Sequence, residues 1–252
     1  MRGDRGGRGR DGTRGRAGPA LREHLEQVHV SREDAQRQPA RFAVQYVIRP
    51  MSTERPDYRG YAGTLSSGRL RLGDEVVVLP FGRSSTIAGL DTFDGALGEV
   101  VAGQAVTVRL SDELDVSRGD LIAPADAVPT VTSSFDATLC WMGDTPLRPG
   151  QRVLVKHTTR TVKAVVQHLH DRLDVTQLQA EPAESLRLND IGRVTVRTAQ
   201  PLALDRYADD RTTGAFIVID EGTGATVGAG VVGGHGAAPA GGAAGERAPP
   251  AA

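Results

Sequence analysis

Between Arg59 and Asp74 the chain reads Arg-Gly-Tyr-Ala-Gly-Thr-Leu-Ser-Ser-Gly-Arg-Leu-Arg-Leu-Gly-Asp. Gly60, Gly63, Gly68 and Gly73 fall within fourteen residues. Glycine at this density marks tight turns and close backbone approaches. It leaves short strand-like pieces between the turns. Gly73-Asp74 then turns the chain into an apolar run, Val76 to Leu79.

The same grammar begins at Arg41. Phe42, Val44, Tyr46 and Ile48 alternate with Ala43, Gln45, Val47 and Arg49, and Pro50 ends the run. That period of two predicts a half-buried strand with the first four side chains on one face. Further strands are predicted at Tyr61–Leu65, Glu75–Leu79, Ser85–Leu90, Ala105–Leu110 and Leu121–Ile122. Turn signals separate them at Gly82, Asp94-Gly95, Gly103 and Gly119-Asp120. A second set is predicted at Phe135–Met142, Arg152–Lys156, Arg160–Leu169, Ile191–Arg197 and Ala215–Asp220. Between these, Leu178 to Leu188 reads as one helical turn or an irregular excursion. Short strands at this spacing, without a long helical period, predict an all-β chain of two closed antiparallel barrels.

The expected organisation follows. Residues 1–20 hold six Arg, seven Gly and no large apolar residue beyond Met1, so they are read as a disordered leader. Residues 21–40 are a short helix, with Leu21, Leu25 and Val28 on one face, and a linker. The barrels occupy 41–126 and 133–232, joined by a linker at 127–132 within the stretch from Pro124 to Thr132. Residues 233–252, rich in Gly, Ala and Pro, are a disordered tail.

Charge excludes little but points away from polyanions. There are 30 basic and 31 acidic residues, so bulk electrostatics makes no case for nucleic acid or a membrane surface. No apolar stretch reaches the roughly 20 residues needed to span a bilayer. The single cysteine, Cys140, fits a reduced, cytoplasmic setting. Arg5-Gly6-Gly7 and Arg2-Gly3-Asp4 are short enough to occur by chance.

Chemistry-bearing constellations are sparse. His168 and His170 share one strand face, with His157 upstream, yet no Cys or acidic ligand completes a zinc spacing. Lys156, Arg160, Lys163 and Arg172 could form a basic patch or a solvated face. Asp112, Glu113 and Asp115 read as a loop, with nothing nearby to split their pKa values. Ser133, Ser134 and Cys140 lack an oriented base. No catalytic, cofactor-binding or metal residue is therefore assigned.

Several segments together resemble a known family. They are Arg41-Phe-Ala-Val-Gln-Tyr-Val-Ile-Arg-Pro50, Asp57-Tyr-Arg-Gly-Tyr-Ala-Gly63, Phe135-Asp-Ala-Thr-Leu-Cys-Trp-Met142, Pro146-Leu-Arg-Pro-Gly150 and Thr158-Thr-Arg-Thr161. Leu188-Asn-Asp-Ile-Gly-Arg-Val194, Arg211-Thr-Thr-Gly-Ala-Phe-Ile-Val-Ile-Asp220 and Ala225-Thr-Val-Gly-Ala-Gly230 complete the set. The glycine run resembles the second domain of translational GTPases of the elongation factor Tu type. The ordered set is similar to one branch of them, the large subunit of bacterial sulfate adenylyltransferase. The resemblance implies domain 2-like and domain 3-like barrels. It implies a setting in sulfate assimilation, where ATP and sulfate give adenylyl sulfate and pyrophosphate. A small adenylyl-transferring subunit is the implied partner. GTP and Mg2+ are the implied cofactors of the intact family.

For this chain itself no cofactor is expected. A phosphate loop needs a Gly-Lys pair, but the only lysines, Lys156 and Lys163, each follow Val. Guanine recognition in that family uses Asn-Lys-x-Asp, and the only Asn is Asn189, followed by Asp190. Asp57-x-x-Gly60 and Asp4-x-x-Gly7 match a loose switch pattern by chance. The expectation is a truncated large subunit acting as scaffold and partner-binding module, without catalysis of its own. The Leu21–Val28 piece resembles the last helix of the family's nucleotide domain. The alternative is an RNA- or ribosome-binding protein built from translation-factor-like barrels.

Overall fold

Alternating side chains close two rings of strands in the computed structural model, which describes residues 32–50 and 58–233. A short helix α1 (Arg32–Arg37) leads into β1 (Arg41–Ile48). The first ring runs β4 (Glu75–Leu79), β9 (Leu121–Pro124), β1, β2 (Gly60–Ser67), β8 (Ala105–Leu110), β5 (Arg83–Thr92), and β5 pairs back to β4. Strand β6 (Gly95–Ala96) extends β5, and β3 (Arg69–Arg71) pairs with β7 (Glu99–Val101) as a ribbon. The second ring runs β11 (Arg152–His157), β15 (Ala215–Ile219), β16 (Thr226–Val232), β10 (Thr130–Trp141), β14 (Ile191–Leu204), β12 (Arg160–Asp174), and β12 pairs back to β11. Strand β13 (Gln179–Glu181) extends β12. The architecture is thus two closed six-stranded antiparallel barrels. Among the described residues no helix is long and apolar enough to cross a membrane.

Each barrel encloses its own apolar core. Phe42, Tyr61, Leu65, Val76, Leu90 and Ile122 fill the first, and Leu139, Trp141, Val155, Leu186, Val194 and Val196 the second. With few aromatics, aliphatic side chains carry the burial, at roughly 1.5–3 kcal/mol for each one fully removed from water.

The expected strands form, with instructive differences. Tyr46 does not join Phe42 and Val44 inside. A bulge leaves Gln45 between the pairs Val44↔Gly63 and Tyr46↔Ala62. One extra residue reverses the alternation. Tyr46 is therefore 66% exposed, and Val47 packs on the core instead. Strand β10 starts at Thr130, inside the stretch read as linker, because Thr130–Thr132 pair with Leu202–Leu204. Leu178–Leu188 is irregular, with β13 at its start and Leu186 buried opposite Leu147. The helix expected at Leu21–Val28, both tails, Asp4 and Asp57 lie outside the described residues.

Gly68 turns β2 into β3 at φ +71°, and a Cβ there would meet the backbone of Ala40 at 2.4 Å. Its N–H donates to Ala35 O at 2.7 Å, tying α1 to the barrel. We expect Gly68→Ala to cost roughly 2–3 kcal/mol, about 1–2 of it left-handed backbone strain. That lowers the melting midpoint by about 5–10 °C at this size. Gly73, at φ +84° with open space around it, supplies the comparison. Equal losses for Gly68→Ala and Gly73→Ala would show that the Ala40 contact relaxes freely.

Candidate functional site: the barrel junction and three surface clefts

The barrels meet through a small apolar seam and a polar lock. Leu79, Leu121 and Ala123 of the first barrel pack with Ala203 of the second. Beside them Arg41 reaches across. Its Nε and Nη2 donate to Asp205 Oδ2 and Oδ1 at 2.7 and 2.9 Å. Its Nη1 donates to the carbonyls of Ala40 and Ala127, each at 2.9 Å. Such a two-pronged guanidinium–carboxylate pair fixes orientation as well as distance. A second cross-link comes from the β11–β12 turn. Thr159 donates its hydroxyl to Val44 O at 2.9 Å, and Arg160 binds Asp120 at 3.0 Å and Gln200 at 3.0 Å.

Beneath Asp205 lies a buried polar group. The Thr213 hydroxyl donates to Asp205 Oδ2 at 2.6 Å, and the Thr213 carbonyl lies 2.8 Å from His157 Nε2. A carbonyl only accepts, so Nε2 carries the proton. Asp210 Oδ1 accepts from the N–H groups of Thr212 and Thr213, at 2.8 and 3.0 Å. Burial alone would raise the Asp205 carboxyl, but its bonds from Arg41 and Thr213 outweigh that and hold it below the usual carboxylate range. Burial pushes the His157 imidazole below its ordinary value, against the Thr213 carbonyl and the charges of Asp205 and Asp210.

The His157 shift sets an expected pH dependence. The unfolded chain takes the proton at about pH 6.5, before the folded chain does. Stability is therefore full above that pH and falls as pH drops below it, by up to about 1.4 kcal/mol per pH unit. The lowered Asp205 acts in the same direction, in a window below about pH 4. Urea midpoints at pH 7.5, 6 and 5 should fall for the parent chain and flatten for His157→Gln. An equally steep fall in that variant would place the titration elsewhere.

Three of the clefts among the described residues lie over barrel strands. One of about 830 Å³ lies over β1, β2, β8 and β5, floored by Ala62, Gly63 and Ala105 and walled by Tyr58 and Phe93. At its edge Arg109 pairs with Asp91 at 2.8 Å, and Tyr58 donates to Asp91 at 3.2 Å. A second, of about 570 Å³, is mainly apolar and lined by Cys140, Ile191, Phe216 and Val231, with Lys156 at its edge. A third, of about 310 Å³, is lined by Arg152, Lys163, Arg197 and Glu221.

The histidines weighed for a zinc site, His168 and His170, both lie on β12. The rings of His168 and His170 are 6.3 Å apart. His170 Nε2 lies 2.8 Å from the Thr195 hydroxyl, which donates its single proton to Asp136 at 2.6 Å. The histidine must then donate to the hydroxyl, the reverse of what nucleophile activation requires. His157 is buried at the junction. Among the described residues no group of three or more His, Cys, Asp or Glu is placed to hold a metal ion.

The basic residues grouped from the sequence are dispersed. Arg160 turns to the junction, Arg172 binds Glu181 and Asp190, Lys163 binds Glu221, and Lys156 borders the apolar cleft. Asp112, Glu113 and Asp115 sit in a loop, where Asp112 accepts from Ser85 at 2.7 Å. Sequence reasoning missed Arg152 and Arg197 as neighbours. Their meeting depends on pairing between strands far apart in the chain.

Comparison with known proteins adds an independent line. A sequence family described as GTP-eEF1A C-terminal domain-like matches residues 134–233. The bifunctional enzyme CysN/CysC of Mycobacterium tuberculosis is 49% identical over 217 residues, which is 85% of this chain and 35% of that protein. Sulfate adenylyltransferase subunit 1 of Aeromonas salmonicida is 44% identical over 215 residues, 85% of this chain and 45% of that protein. The bifunctional enzyme NodQ of a Rhizobium strain is 43% identical over 216 residues, 86% of this chain and 33% of that protein. The chain thus spans between a third and a half of the length of these relatives. A crystal structure of sup35 complexed with GDP superposes with a TM-score of 0.70 at 20% identity, over 85% of this chain and 52% of the other. That likeness concerns the fold.

Proposed function

We propose, from the premise that this chain is a homologue of part of sulfate adenylyltransferase subunit 1, that its two barrels form a partner-binding platform without a catalytic step of their own. The observation that carries this reading is the 43–49% identity over about 85% of the chain, through both barrels. The junction supports it. A platform must hold two surfaces in fixed relation, and Arg41–Asp205 with Arg160–Asp120 does so. The surface chemistry agrees, since the clefts present aromatic, apolar and cationic groups, with the carboxylates of Asp91 and Glu221 held in ion pairs. In the intact family GTP with Mg2+ belongs to a nucleotide-binding domain. The proposed partner is the smaller subunit that transfers the adenylyl group.

Coupling to a nucleotide requires two states with different contacts to the partner. These 252 residues hold no Gly-Lys phosphate loop and no Asn-Lys-x-Asp motif. The test is co-purification of this chain with the small subunit, in GDP, GTP and a non-hydrolysable analogue. We expect association that the nucleotide does not alter, no GTP stimulation of adenylyl sulfate formation by this chain, and no micromolar GTP binding by calorimetry. GTP stimulation by this chain alone would overturn the mechanism. Absent association together with salt-sensitive RNA binding would favour the translation-factor-like alternative.

A further inference from the structure

The third cleft is built by strand register. Arg152 pairs with Val165 across β11 and β12, and Val165 pairs with Arg197 across β12 and β14. The three residues form one row over adjacent strands. Both arginines are exposed, and Lys163 lies two residues along β12 on the same face. Two inter-strand steps separate the arginine backbones by about 10 Å.

Among the described residues, one of these cations is engaged. Lys163 Nζ lies 2.8 Å from Glu221 Oε1. The Arg152 and Arg197 side chains have no hydrogen-bond or ion-pair partner among the described residues. Glu221 comes from the turn between β15 and β16, which Asp220 shapes by accepting from the N–H groups of Gly222 and Thr223 at 3.1 and 2.7 Å. The chain therefore delivers one carboxylate of its own to the cleft edge.

We propose that this cleft receives an acidic peptide segment of the small partner subunit, with its carboxylates on Arg152 and Arg197 and competing with Glu221 for Lys163. The identity of the partner rests on the platform reading above; the carboxylate chemistry rests on the cleft alone. The arginine fork matches carboxylate geometry in two bonds and loses less hydration than an ammonium. A spacing of about 10 Å suits acidic residues three apart in a polyproline II segment, where every third side chain faces the same way about 9 Å along. A nucleic-acid strand fits less well. It carries a charge at every nucleotide and needs a continuous cationic track, whereas β12 and β14 continue with Gln167 and Thr195.

The test uses the full chain, its Arg152→Glu/Arg197→Glu variant and its Glu221→Gln variant, each checked for an unchanged melting curve. A fluorescein-labelled hexaglutamate probe is followed by anisotropy, with a labelled six-nucleotide oligouridylate as the rival. We expect hexaglutamate to bind the parent chain, to weaken at least tenfold in the charge-reversed variant, and to tighten roughly threefold in Glu221→Gln as the competitor leaves. Unchanged hexaglutamate binding in the charge-reversed variant overturns the proposal, as does a preference for oligouridylate that depends on the same arginines. Capture of the small subunit is then measured with the same variants. A tenfold loss on charge reversal supports the proposed contact, and equal capture overturns it while leaving the platform reading intact. Hexaglutamate binding without any capture of the small subunit supports the carboxylate site and overturns the choice of partner.

Discussion

Arg41→Ala should lower the unfolding free energy by about 3–5 kcal/mol, the range for leaving one half of a buried ion pair uncompensated. The Arg41 side chain is 5% exposed and Asp205 13%, so water cannot replace the lost partner. The loss extends beyond one bond. The Ala40 and Ala127 carbonyls lose their donor, and Asp205 keeps only Thr213. Equilibrium urea denaturation measures the effect. The double variant Arg41→Met/Asp205→Leu should recover at least half of it, because the desolvation cost of both charges disappears together. A loss below about 1 kcal/mol in Arg41→Ala would reduce the lock to the level of a surface ion pair.

Trp141→Ala should cost a similar 3–5 kcal/mol, the range for deleting a fully buried large aromatic side chain. Trp141 is 1% exposed at the end of β10, and its indole N–H donates to Thr145 O at 2.8 Å. Its backbone also closes the barrel end, accepting from Asn189 and donating to Asp190 O at 2.7 and 2.9 Å. Trp141→Phe keeps most of the ring and loses that donor, so about 1–2 kcal/mol is expected from the unsatisfied carbonyl. Circular dichroism must follow the unfolding, since Trp141 is the single tryptophan. A cost for the alanine variant no greater than for the phenylalanine one would mean that the core collapses into the gap.

Much of the fold was legible because period-two alternation and glycine punctuation are local signals. The runs at Phe42–Val44, Val76–Leu79 and Val106–Val108 could be read without knowing their partners. What failed was non-local. The bulge at Gln45 exists only against Gly63 and Ala62, so Tyr46 looked like a core residue. Strand β16 was not read as a strand because Gly228 and Gly230 weaken the apolar pattern. A Cβ on Gly230 would stand 2.3 Å from the Phe216 ring, so the glycine makes room for an aromatic on the next strand. The opening of β10 was hidden in a Pro- and Thr-containing stretch whose partner, Leu202–Leu204, lies some seventy residues later. The junction was invisible for the same reason. Nothing near Arg41 in sequence announces Asp205. The Arg152–Arg197 cleft likewise required the register of three strands.

Closing each ring of strands has a consequence for recognition. A backbone paired on both sides offers a foreign strand nowhere to attach along the rings themselves, which leaves open edges at the short outlying strands β3, β6, β7 and β13. Peptide capture by strand addition, a route that reads main chain more than sequence, is therefore closed to the rings. Whatever they hold must be chosen by the side chains that stand on their outer surface. Those positions can change without disturbing the pairing beneath them. Binding preference then rests on a few outward residues, which in the proposed cleft are Arg152 and Arg197.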